Sequence, residues 1–226
     1  NSVLVRYRYV GDIGGDVEIC DIAITGKKDT TAPTSTITMS GTMTDAGWYS
    51  TPVQCTITAT DDNAVKEIHY ILDGSETVVA CNKASFTVSG NGNHDIEFWA
   101  VDMVGNEELP HNTVPTFRID SGSPPSVSII SPEPGLYLFG NQLLSLSKVF
   151  IIGAFTAEAT ASDAESGVYR VQFLLDGDIV SEDTEAPFSA YIAEKHMGAG
   201  TLTVVAEDFA GNTADDELEI TYYKFL

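Results

Sequence analysis

The chain has 226 residues, enough for one large domain or two ordinary ones, and 43% of them are hydrophobic, so there is apolar side chain to fill real cores. With 33 acids against 11 bases the formal charge is −22, a surface that nucleic-acid phosphate and anionic lipid would both repel. No run reaches the ~20 apolar residues of a membrane helix, no Cys-x-x-Cys occurs, and His69, His94, His111 and His196 lie far apart, so no zinc signature is present.

The first segment, "SVLVRYRYV", is followed by "VGDIGGD" at Val10–Asp16, "VEICDIAIT" and a proline linker. Asp12, Gly15 and Asp16 fall on an Asp-x-x-Gly-Asn spacing that recurs twice later. That makes residues 1–30 a β-hairpin, the end of a preceding domain. The alternation disagrees, because the same register turns Arg6 and Arg8 inward where later copies have Ile96 and Phe98; a bulge would repair it. The rival is a free strand that pairs with another chain.

From residue 31 the chain repeats itself. "VKEIHYILDGSETVV" at Val65–Val79 matches "VYRVQFLLDGDIVSE" at Val168–Glu182, and Asp73-Gly74 falls on Asp176-Gly177. Upstream, "TATDDNAV" resembles "TASDAESGV". Downstream, Phe86 falls on Phe188, and then come "AVDMVGN" and "AEDFAGN". Each copy opens on proline.

Within a copy, Val53, Cys55, Ile57 and Ala59 alternate with Gln54, Thr56, Thr58 and Thr60. Ile96, Phe98 and Ala100 do the same later. Period-two alternation is the mark of half-buried strands. The Asp-Gly pairs between such runs read as hairpin turns. The fold expected is all-β: two tandem immunoglobulin-like β-sandwiches, over 31–121 and 122–226, joined at "DSGSPPS". The second copy carries extra residues around "GLYLFGNQLLSLSKVFIIG", a lengthened loop or an additional edge hairpin.

"GWYSTPVQCTITATDDNAVKEIHYILDG" and "FWAVDMVGNEE" resemble the immunoglobulin-like repeats of bacterial and archaeal surface proteins. "PPSVSIISPEPGLYLFG", "VYRVQFLLDG" and "DTEAPFSAYI" resemble a related repeat of large exported archaeal proteins. The resemblance covers about residues 31–223. It implies rigid modules outside the cell, in surface, sheath-like or adhesive proteins, or behind the catalytic domains of secreted hydrolases. It says little about activity, because one sandwich hosts many tasks.

No histidine follows a strained turn bearing a nucleophile, so the expectation is exposed histidines and no enzyme. Asp61-Asp62 and Asp163/Glu165 could serve glycoside cleavage only in a cleft with one raised pKa, which loops of this length rarely build. Calcium suits them better, since hard oxygen ligands from adjacent loops match its needs and the B–C loop lies at the same end as the F–G turn. The regular Asp-x-Asp-x-Asp-Gly loop is lacking, and solvated acids are the alternative. Asp102, Gly105 and Asn106, with Asp208, Gly211 and Asn212, read as a turn. In it the acid accepts N–H bonds, the glycine supplies a positive φ and the amide tolerates the bend.

Trp99 is out of phase with Phe98 and Ala100, so it faces away from its core and could offer a carbohydrate platform. In an oxidising compartment Cys55 and Cys81 are candidates for a disulfide, which leaves Cys20 buried and free or paired outside the chain. The function expected is architectural: rigid extracellular repeats of a cell-surface, sheath or filament assembly, whose partners are copies of itself or neighbouring surface domains. The alternatives are a filament subunit joined by strand donation and an accessory substrate-binding tail of a secreted hydrolase.

Overall fold

The computed structural model describes residues 2–10 and 16–25 at the level of the backbone, and residues 28–225 in full. Strand β1 (Ser2–Val10) pairs antiparallel with β2 (Asp16–Thr25), Ser2 opposite Thr25 and Val10 opposite Asp16. The leading strand is therefore paired inside its own chain rather than free. Its register slips between Val5 and Tyr7, the kind of bulge that the misplaced arginines required. The turn residues Asp12 and Gly15 lie outside the described residues.

Eight strands follow: β3 (Thr34–Ser40), β4 (Trp48–Tyr49), β5 (Val53–Thr60), β6 (Val65–Leu72), β7 (Ser75–Val79), β8 (Lys83–Val88), β9 (Gly92–Asp102) and β10 (Asn112–Ile119). They form a three-stranded sheet in the order β3-β5-β8 and a five-stranded sheet in the order β4-β10-β9-β6-β7. The inward residues of β5 meet those of β6 and β9: Val53, Cys55, Ile57, Ile68 and Ala100 have no exposed surface. Tyr70 of β6 stacks on Phe86 of β8 at 4.2 Å across the two sheets.

The second sandwich is built from β11 (Ser126–Ser131), β12 (Gly135–Leu138), β13 (Asn141–Ser145), β14 (Val149–Ile152), β15 (Phe155–Ser162), β16 (Val168–Leu175), β17 (Asp178–Asp183), β18 (Phe188–Ile192), β19 (His196–Asp208) and β20 (Thr213–Lys224). One sheet runs β11-β15-β18 and the other β13-β12-β14-β20-β19-β16-β17. Phe173, Ile151, Leu202 and Tyr222 are fully enclosed between them. The short parallel pairing of β4 on β10 recurs as β14 on β20. The extra residues of this copy form the β12–β13 hairpin, which widens the sheet at one edge.

Two bond sets join the sandwiches. The Asp120 amide donates to the Tyr49 carbonyl at 2.9 Å, and the Thr44 hydroxyl donates to the Phe209 carbonyl at 3.0 Å. Thr44 lies on the β3–β4 turn, the position where the second sandwich carries its additional hairpin.

Candidate metal centres

The two Asp-x-x-Gly-Asn segments are tight turns of the same construction. Asp102 N–H donates to the Asn106 carbonyl and Asp208 N–H to that of Asn212, both at 3.0 Å. Gly105 and Gly211 hold φ of +90° and +86°, a region a Cβ would strain. The carboxylate sits inside the turn it organises. Oδ1 of Asp102 accepts from Val104 and Asn106 N–H at 2.9 and 2.8 Å, and Oδ1 of Asp208 from Ala210 and Asn212 N–H at 2.8 Å each. Both acids are buried.

Each turn is tied to the loop between its second and third core strands. Met103 N–H donates to the Ala64 carbonyl and Phe209 N–H to the Gly167 carbonyl, both at 3.1 Å. That loop also begins on an acid. Oδ1 of Asp61 accepts from Asn63 and Ala64 N–H, and Oδ1 of Asp163 accepts from Glu165, Ser166 and Gly167 N–H at 3.1, 2.8 and 2.7 Å. Such Asx turns curl the backbone around the first carboxylate. Asp62 and Glu165 consequently point outward and are exposed, and neither joins a cluster.

A third acid arrives from each linker. Carboxylate oxygens of Asp29, Asp61 and Asp102 all lie within 4.8 Å of one another, as do those of Asp120, Asp163 and Asp208. Oxygens bound to one calcium at 2.3–2.6 Å are about 5 Å apart at most, so both trios have the required span. Of the four expected ligands the structure brings together Asp61 and Asp163, adds Asp102 and Asp208 from the turns, and adds Asp29 and Asp120. The linker acids carried a signal: each stands four residues before a proline, Pro33 and Pro124.

Asp120 is the most exacting member. It is fully buried, and neither of its carboxylate oxygens has a hydrogen-bond partner. Burial pushes its carboxyl up, and the charges of Asp208 and Asp163 push the same way. The Ser166 hydroxyl, itself without a partner, opposes this only in part. In the first trio Oδ2 of Asp29 and Oδ2 of Asp61 are likewise buried and unpartnered. Among the described residues no ion pair reaches any of the six acids. Two unit charges 4.8 Å apart repel by about 3 kcal/mol at an effective dielectric near 20. Three such pairs rival the stability of a whole domain. A proton or a cation is the available remedy, and the oxygen-only donor set suits a hard cation.

The other candidates resolve differently. Cys55 and Cys81 are free thiols and form no disulfide: Cys55 is enclosed in the core, whereas Cys81 is exposed on the turn that passes from β7 to β8. Burial lifts the Cys55 thiol to about 11. Trp99 does face away from the core, but it is only 7% exposed. His111 covers one side of it at 3.8 Å and 3°, and His69 also stacks on it at 4.9 Å and 15°, so no carbohydrate platform is open there.

Nor are the histidines exposed and idle. His94 reaches Asp73 Oδ2 at 2.7 Å and the Gly90 carbonyl at 2.8 Å, while His196 reaches Asp176 Oδ2 at 2.8 Å and the Tyr222 carbonyl at 3.0 Å. In both copies the histidine secures the Asp-Gly turn, whose paired positive φ values, 50° and 82° or 52° and 89°, are those of a type I′ hairpin.

Fold and turn together define a tandem immunoglobulin-like β-sandwich protein. Residues 125–206 match the family model of a bacterial Ig domain. Comparison with curated protein sequences found no match. Among solved structures, the chain is similar to the fibronectin(III)-like modules of CbhA from Clostridium thermocellum, with 19% identity, a TM-score of 0.43, and 84% of this chain and 95% of that one covered. It is similar to a bacterial ice-binding adhesin, with 11% identity, a TM-score of 0.39 and coverage of 87% and 67%. It is also similar to chitinase ChiA74 from Bacillus thuringiensis, with 14% identity and a TM-score of 0.33; 88% of this chain aligns, against 28% of the chitinase.

Proposed function

We propose that this chain is a non-catalytic extracellular spacer, a run of sandwiches whose heads are braced by calcium against the segment that precedes them. The observation that carries the reading is Asp120, a fully buried carboxylate with two unpartnered oxygens beside those of Asp163 and Asp208. A calcium ion there would bond at once to the linker, the B–C loop and the F–G turn. Asp29, Asp61 and Asp102 would do the same one module earlier. Tying a linker to a module at three points removes the hinge freedom expected of a small, polar inter-domain contact.

Weak, surface-edge calcium sites fill at the millimolar concentrations found outside cells, which agrees with an extracellular location. The match to a bacterial Ig domain over 125–206 supports the same compartment. Engagement of His94 and His196 with oxygen acceptors fits a structural role rather than a catalytic one.

Calorimetry with calcium and with chelator tests the proposal. A cation bound only to the folded state at about ten times its Kd adds about 1.4 kcal/mol, which raises the midpoint of a ~100-residue module by several degrees. Identical midpoints at millimolar calcium and in chelator would sink it.

A further inference from the structure

The β12–β13 hairpin does more than lengthen a loop. Leu138, Ile152, Tyr223 and Met197 occupy one register row across β12, β14, β20 and β19, and all four are exposed. The next row holds Leu144, Leu136 and Phe150 on β13, β12 and β14. These rows lie on the outer face of the sheet, opposite the enclosed Tyr137, Ile151 and Tyr222. Residues 134–147 contain no charged side chain, in a chain whose formal charge is −22.

Strand β13 is also an open edge. It pairs with β12 on one side only, all five of its residues are exposed, and two of them are Leu143 and Leu144. The opposite edge of the same sheet, β17, carries Asp178, Glu182 and Asp183, the charges that discourage strand addition. One edge is guarded and the other is not.

We propose that this face and edge bind a second copy of the chain, β13 against β13 in antiparallel register about a two-fold axis. Three observations choose that occupant. At roughly 180 Å² per large apolar side chain, the exposures of Leu138 (38%), Leu144 (49%), Phe150 (37%), Ile152 (40%), Tyr223 (37%) and Met197 (71%) leave on the order of 500 Å². That is the apolar share of the ~800 Å² each partner contributes to a stable interface. Two chains of charge −22 repel over most of their surface, so a stretch free of acids is where they can approach. An antiparallel edge pair is self-complementary, which closes the assembly at two copies and continues the sheet across the axis.

The test uses the full chain in sedimentation equilibrium, with calcium and again with chelator, so that failure of the metal reading leaves the result interpretable. The double variant Leu143→Lys/Leu144→Lys replaces exposed side chains and sets like charges opposite one another in the pair. The expected result is twice the monomer mass for the wild type and at least about tenfold weaker association for the variant. Hydrogen exchange on the wild type provides a check that needs no variant, because amides 141–145 gain protection as concentration rises. A wild type that stays monomeric to about 100 µM, a dimer that survives the double substitution, or an open-ended polymer would each overturn the proposal.

Discussion

Asn212 holds Asp208 from two sides, with its backbone N–H on Oδ1 and its side-chain amide on Oδ2, both at 2.8 Å. The same amide reaches the Asp120 carbonyl at 3.4 Å, and the Asn212 side-chain oxygen accepts from Gly122 N–H at 3.2 Å. Asn106 repeats this with Asp102 and the Thr31 carbonyl at 3.0 Å. The motif is thus a turn and a latch: glycine lets the chain bend, the acid gathers the amides, and asparagine fastens the incoming linker.

Removing the acid exposes what the turn owes it. Asp208→Ala leaves the Ala210 and Asn212 N–H groups without their acceptor, and buried orphan donors cost about 1–3 kcal/mol each. The second sandwich should lose roughly 2–5 kcal/mol in urea titration, and Asp208→Asn less, since one acceptor oxygen remains. A loss under about 1 kcal/mol would mean that the glycine and the strand pairing hold the turn by themselves.

Asp120→Asn should change sign with calcium. The raised Asp120 carboxyl contributes stability that is present below the unfolded carboxylate value and is lost as pH rises through the folded one. Without metal, therefore, the wild type gains stability on acidification and the variant is the more stable at neutral pH. With calcium the order inverts, because the variant has lost a ligand. Melting midpoints of both proteins in chelator and in millimolar calcium give the four values needed, and parallel behaviour would refute the charge argument.

A second pH response comes from His111. Its imidazolium is held above the usual histidine range by Glu107 first, with burial opposing and Glu97 adding. Nδ1 lies 2.7 Å from Glu97 and Nε2 2.9 Å from Glu107. That contribution is present below the unfolded histidine value and fades as pH rises through the folded one. His111→Gln should flatten this part of the stability profile. Because the ring stacks on Trp99 at 3.8 Å, a pH-dependent component of the tryptophan emission should disappear with it.

The thiols should separate cleanly under alkylation. Cys55 is enclosed and its thiol is lifted to about 11, whereas Cys81 is exposed. At pH 8 native labelling mapped by mass spectrometry should modify Cys81 and spare Cys55 until denaturant is added, since the thiolate is the reactive form. Modification of both in the native state would contradict the packing of β5.

Much of the sandwich could be read from residue order alone. Alternation marked Val53, Cys55, Ile57 and Ala59 as inward, and all four are buried. The Asp-Gly pairs named two hairpins that carry the expected left-handed φ values. The same alternation put Trp99 outward but could not tell that His69 and His111 would cover it, because cross-strand neighbours depend on which strands meet. It likewise placed Cys55 inward, yet could not show that Cys81 stays on the surface.

Local chemistry therefore determined the strands, their faces, the turns and the repeat, since each rests on a period of two or on a few adjacent residues. Tertiary structure alone decided that Asp29, Asp61 and Asp102 meet, and Asp120, Asp163 and Asp208 after them. Each trio joins a linker, a loop and a turn far apart along the chain. Which acid points in and which, like Asp62, points out depends on the amides it captures once the sheets have brought those segments to the same end.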